Sequence, residues 1–227
     1  MKLIRLAHRY LVRQTMPAWA VGYYTRLVDA IADVYLLPLC DEVFQAFRGP
    51  AEILDAGTGT GQLPVLLARG RTGYRVTGVD LSARCVAVAR EKARQAGVAD
   101  RVTFLQSNLE NLPLPTAGMD LVISTCSLHH WRRPERVLRE LARVLKPGGE
   151  LWLLDDSAEA SAASRAAWVA EVERRARAGW LFRSVFRFES RCLAYSQAEV
   201  EALAAAADLR IASFELRGVF FLARLAC

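Results

Sequence analysis

Lysine is nearly absent from this chain. Its 227 residues hold three lysines against 27 arginines, and only three histidines. The resulting net charge of +6 permits an anionic partner without requiring one. No stretch approaches the roughly 18 uninterrupted apolar residues of a membrane span. A secretory leader is not expected either, because Arg5, His8, Arg9 and Arg13 break each candidate apolar core. The five cysteines are odd in number and include no C-x-x-C pair, so reduced thiols in a cytoplasmic protein are expected. There is no internal repeat, low-complexity tract or second domain. With 53% apolar residues, the chain has enough material for one large core.

The rest is organised around Ala51-Glu52-Ile53-Leu54-Asp55-Ala56-Gly57-Thr58-Gly59-Thr60-Gly61. Ile53 and Leu54 suit a strand covered on both faces. The glycines permit positive φ and leave no Cβ between a ligand and the backbone. The apolar run from Leu63 then opens a helix, whose first N–H groups face whatever lies over the turn. That geometry puts a ligand at the carboxyl edge of a parallel sheet. The spacing G-x-G-x-G departs from the dinucleotide pattern G-x-G-x-x-G, and Asp55 stands two positions before the first glycine. A carboxylate there is unsuited to a pyrophosphate but suits an ammonium group. Asp80, ending the next apolar run, has the chemistry to accept both hydroxyls of a ribose.

Upstream, residues 2–13 read as an amphipathic helix with a basic face, and roughly 20–47 as a second helical stretch interrupted at Pro38. The first is a helix packed on the domain, a lid, or a peripheral contact with an anionic membrane. Downstream, strands at about 51–56, 75–79, 102–105, 120–124 and 150–154 alternate with helices at 61–70, 82–95 and 135–145. This rhythm implies right-handed crossovers and a parallel sheet covered on both faces. Residues 157–195 break it with a helix over 162–178 and an aromatic, arginine-bearing cluster at 180–188. Ser196-x-x-Glu199 is a capping box. Two apolar runs joined at Arg217-Gly218 read as an antiparallel hairpin closing the sheet. The expected fold is α/β, a Rossmann-like doubly wound sheet of seven strands, mostly parallel. It would form one domain: a helical N-terminal cover (1–49), a cofactor-binding half (50–156), and an insertion with the closing hairpin (157–227).

Four stretches together resemble the class I S-adenosylmethionine-dependent methyltransferases. They are Ile53–Gly61, Val79–Ser82, Asn108–Pro113, and Asp120–Trp131 running into Arg143–Gly149. The small-molecule branch with the ubiquinone/menaquinone C-methyltransferases is most similar. The likeness spans about residues 50–155, and the flanks match no family. It implies S-adenosyl-L-methionine as cofactor, with Asp55, Gly57, Thr58, Gly59, Thr60, Gly61 and Thr125 around the methionine end. Asp80 would take the ribose hydroxyls, Leu81 would lie against the adenine, and Asn108 with the adjoining Leu109 would meet its far edge. Asn108 stands where many members have Asp.

Transfer from a sulfonium is mainly a matter of alignment, and a base is needed only for a nucleophile carrying a proton. His129 and His130, beside the transfer site, are the base candidates. Each also suits a structural role in the loop after the fourth strand. Cys126-x-x-His129-His130 carries metal-binding residue types, but adjacent ligands in one short loop lack partners, so no metal is expected. Asp155, with Asp156, is placed to orient a substrate hydroxyl or amine, or to bind a divalent ion. Tyr23, Tyr24, Asp155 and Arg183 are the substrate-side candidates, and the 180–188 aromatics suit either a wall for a planar or lipid-like acceptor or ordinary core packing. A nucleic-acid methyltransferase is the first rival, but the fourth strand lacks an Asn/Asp-Pro-Pro-aromatic motif and no RNA-binding module is visible. A nicotinamide-dependent enzyme, or a protein keeping the fold without transfer activity, is the second. The expected partner is therefore a small molecule rather than a nucleic acid.

Overall fold

The structure, a computed structural model, describes residues 20–177 and 179–226. The amphipathic segment 2–13 lies outside them. Seven strands form one sheet: β1 (Ala51–Ala56), β2 (Tyr74–Asp80), β3 (Val102–Gln106), β4 (Met119–Thr125), β5 (Leu145–Asp156), β6 (Arg210–Arg217) and β7 (Phe220–Ala226). Their order is β3-β2-β1-β4-β5-β7-β6. The first five run parallel, and β7 pairs antiparallel with both β5 and β6. The expected mixed sheet and its closing hairpin are both present. The strand order, not the strand direction, reverses between the parallel neighbours β1 and β4, and such a switch point places a ligand crevice at their carboxyl ends.

Alternate residues of the central strands feed two cores. Ile53, Leu121, Ile123 and Trp152 meet Leu36 of α1 (Val21–Ala46), Leu67 of α2 (Gln62–Gly70) and Ala89 of α3 (Ala83–Gln95). Leu54, Val122, Leu153 and Phe221 meet Val137 of α4 (Pro134–Val144) and Val200 of α7 (Gln197–Ala205). Being covered on both faces explains why β1 and β4 read as near-continuous apolar runs. Between β5 and α7 lie α5 (Ala162–Ala176), α6 (Trp180–Phe188) and a π-helical turn, Glu189–Leu193.

Two elements differ from expectation. Helix α1 runs unbroken through Pro38, although proline removes one helical hydrogen bond and crowds the preceding turn. Leu36, Leu39, Cys40 and Val43 on either side of it are buried, so packing on the sheet outweighs the local penalty. Strand β5 begins at Leu145 rather than 150, because Leu145 pairs with Met119 before a register shift, and Lys146 reaches Asp120 at 2.8 Å. The local signals at helix starts hold. The Ser82 hydroxyl accepts from the Cys85 amide, and Ser196 with Glu199 forms the reciprocal capping box.

Candidate active site

The turn after β1 is pinned to the end of β2. The Gly57 and Thr58 amides both donate to the Val79 carbonyl at 2.9 Å. Gly57 adopts φ +82° and Gly61 φ +77°. Both angles lie in a region costly for residues with a Cβ. Space is equally restrictive. A Cβ on Gly57 would stand 2.7 Å from Ser127 Cβ, and one on Gly61 would stand 2.7 Å from Ala89 Cβ. The loop is thus a fixed cradle of backbone. Asp80 supports it: its Oδ2 accepts from the Gly59 amide at 2.9 Å and its Oδ1 from the Ser82 amide at 2.8 Å.

Asp55 sits under this loop, 1% exposed. Burial pushes its carboxyl up to about 7; the Thr58 hydroxyl beside it opposes the rise and the Asp80 charge adds to it. Among the described residues, Asp55 Oδ1 and Thr60 Oγ1 find no hydrogen-bond partner. Buried polar atoms rarely go unpaired, and these have the chemistry to receive a polar or cationic group. Tyr24, from the first turns of α1, lies over the loop, 3.4 Å from where a Cβ on Gly59 would be. It lines the same pocket as Asp55, Gly57, Thr58, Thr60, Thr125 and Cys126, and narrows the cavity there to about 20 Å³, room for about one water.

A second constellation stands at the ends of β4 and β5. After Thr125 the chain passes through Cys126 at φ +49° into a 3-10 turn, Leu128–His130. The turn buries His129 and leaves His130 accessible to solvent. His129 Nδ1–H donates to Asp155 Oδ1 at 2.6 Å, the tautomer following from its carboxylate partner. Asp155 is itself held by the Leu128 amide on Oδ2 at 2.9 Å and the Asp156 amide on Oδ1 at 2.8 Å. Burial opposes charge on His129, but the Asp155 charge and hydrogen bond outweigh it. With Glu189 and Asp156 adding to them, they carry the imidazole up to about 10. Burial also raises Asp156, to about 7, and Glu189.

The other predicted residues are more dispersed. Leu81 is 38% exposed beside Asp80. Asn108 is exposed, its side-chain oxygen accepting from the Glu110 amide at 3.0 Å, while Leu109 packs partly on the core. Tyr23 points to solvent. Arg183 is exposed and ion-paired with Glu173, away from the glycine loop's pocket lining. In α6, Phe186 is buried and Phe182 packs on the core, whereas Trp180 and Phe188 are exposed. A cavity of about 420 Å³ opens instead between α1, α5 and the hairpin, lined mainly by Tyr35, Leu39, Leu154, Trp168 and Phe220. Tyr35 also lines the glycine-loop pocket, and Leu154 is the strand partner of Thr125, so the two spaces are adjacent. Trp168 and Glu189 carry no sequence signal of a site role, because each reaches this edge only through the packing of the insertion.

An open sheet with this strand order, a glycine cradle after β1 and acids at the first two strand ends defines the class I methyltransferase fold. Residues 54–153 match the family described as a methyltransferase domain, a span similar to the class I S-adenosylmethionine-dependent methyltransferases. The chain is 38% identical over 131 residues to the 27-O-demethylrifamycin SV methyltransferase of Amycolatopsis mediterranei, covering 58% of this chain and 44% of that one. With the demethylmenaquinone methyltransferase of Thermus thermophilus it shares 37% over 108 residues, 48% of each chain. These matches thus span less than half the length of either curated relative. A Methanococcus maripaludis structure assigned as an S-adenosyl-L-methionine-dependent methyltransferase superposes with a TM-score of 0.74, covering 94% of both chains. At 20% identity, it speaks for the fold alone.

Proposed function

We propose that this chain binds S-adenosyl-L-methionine and methylates a small or amphiphilic metabolite. The observation that carries this reading is the buried Asp55 oxygen without a partner, at the end of β1 beneath a backbone cradle. An ammonium group would supply the missing charge partner, with Thr60 and the glycine loop around the same end. Asp80 would exchange its loop contact for the ribose hydroxyls, and Leu81, Asn108 and Leu109 would border the adenine. Bound there, the cofactor supplies an electrophilic sulfonium methyl, for in-line displacement.

The chain's own residues then hold the acceptor and manage its proton. The apolar cavity beside Tyr35 and Trp168 has a volume typical of small-ligand sites, with Tyr24 in the adjoining pocket and Tyr23 and Arg183 as outlying candidates. His130, open to solvent, is the proposed base for an acceptor that carries a proton. His129, kept protonated by Asp155, positions the pair. The space of about 20 Å³ left at the loop requires the first turns of α1, with Tyr24, to move aside for the cofactor.

Calorimetric titration with S-adenosylmethionine, S-adenosylhomocysteine and NADH tests the cofactor. The first two should bind and the third should not. Mass spectrometry of candidate metabolites after incubation with methyl-labelled cofactor tests transfer. Binding without labelling of any acceptor would favour the fold-without-transfer alternative, and binding that falls steeply with salt on RNA would favour a nucleic-acid substrate.

A further inference from the structure

The edge formed by β4 and β5 holds one feature that in-line methyl transfer does not call for. Glu189, on the π-helical turn after α6, brings its carboxylate to the two imidazoles. One potential ligand atom from each of His129, His130 and Glu189 lies within 4.8 Å of the other two. Ligands around a tetrahedral first-row ion stand about 3.4 Å apart at bonds of about 2.1 Å, and the corners of a 4.8 Å triangle lie about 2.8 Å from its centre. A side-chain adjustment under about 1 Å therefore closes this triangle on a single ion.

We propose that His129, His130 and Glu189 form a site for a divalent transition-metal ion of the Zn²⁺ or Co²⁺ class. Two imidazoles with one carboxylate are the donor set for such ions, and too rich in nitrogen for Ca²⁺ or Mg²⁺. The supporting shell is already in place. Asp155 occupies Nδ1 of His129 at 2.6 Å, which orients the ring and leaves Nε2 as its ligand atom. Backbone amides of Leu128 and Asp156 fix Asp155 in turn. His130 keeps solvent access and provides an entry path. π-helical turns, such as the one carrying Glu189, frequently mark functional sites.

Three protein ligands leave coordination positions open, as in catalytic rather than structural sites. Such an ion would bind an oxygen acceptor and lower its hydroxyl pKa, taking over the work assigned above to the His130 imidazole. Only this last step rests on the methyl-transfer reading. The absence of a metal site expected from Cys126-x-x-His129-His130 came from the lack of a third partner nearby. Glu189 is that partner, roughly sixty residues downstream.

The test uses the full chain, free of any histidine tag and stripped of metal. Titration with Co²⁺, followed by visible d–d absorption, and with Zn²⁺ by calorimetry should give one ion per chain. Glu189→Gln and His130→Ala should each weaken binding by at least about 10-fold. Glu189→Gln keeps the side-chain size, and the melting curve without metal verifies its fold. No d–d absorption, or unchanged affinity in both variants, overturns the site. Titrating S-adenosylhomocysteine into the same metal-free sample reports the cofactor reading separately, so either can fail alone.

Discussion

Asp55→Asn separates what the fold prefers from what the ligand needs. The Asp55 carboxyl rises from 3.8 to about 7 on folding without ligand. At about 1.36 kcal/mol per unit, ionised Asp55 therefore costs the ligand-free fold on the order of 4 kcal/mol at pH 8. Because the folded-state pKa is the higher one, the folded chain retains a proton that the unfolded chain has lost between pH 4 and 7. Stability contributed by this group is intact below about pH 4, falls as pH rises through that window, and is flat above it. Asn keeps the size and cannot ionise. The variant should be about 1–3 kcal/mol less stable than wild type at pH 4, the cost of burying an amide, and about 1–3 kcal/mol more stable at pH 8. Ligand affinity should move the other way. A charge-assisted hydrogen bond is worth about 1.5–3 kcal/mol, so S-adenosylhomocysteine should bind about 10- to 100-fold more weakly to the variant. Wild-type binding should release a proton below pH 7, with affinity rising toward neutrality. Urea melts across pH give the first quantity, and calorimetry in buffers of different ionisation enthalpy the second. A variant with unchanged affinity and an unchanged pH slope of stability would refute the role given to Asp55.

Gly61→Ala combines a positive φ with contacts of 2.7 Å to Ala89 Cβ and 2.8 Å to Phe104 Cζ. It should cost about 2–5 kcal/mol in a urea melt. Gly97 has φ +69° but nothing within 4 Å of an added Cβ. Gly97→Ala should therefore cost only about 1–2 kcal/mol, and equal losses in the two variants would show that the contacts count for nothing. Amide exchange in residues 21–28 should change when S-adenosylhomocysteine binds, while β1 stays protected. Unchanged exchange there would contradict displacement of Tyr24.

The alternation of strand and helix, the glycine turn and the acids at Asp55 and Asp80 were legible from residues alone. They depend on local rules: apolar period, positive φ at glycine, caps at Ser82 and Ser196. The same rules misjudged Pro38, because a local helix penalty was set against burial of Leu36, Leu39 and Val43 that no neighbouring residue announces. They left the 180–188 aromatics open between an acceptor wall and ordinary core packing. Amphipathic spacing does not say which face of a helix meets the core, and α6 turns Phe186 inward and Trp180 outward.

Local sequence thus determined the glycine cradle, since each of its parts lies within a few residues of a strand end whose position the apolar pattern already sets. Tertiary structure decided what stands across from it: Tyr24 over the loop, Trp168 and Phe220 around the apolar cavity, Asp155 on His129, and Glu189 beside the histidine pair. Those neighbours come from segments tens of residues apart. Only the folded sheet, by bringing the ends of β4 and β5 under the insertion, makes them a single site.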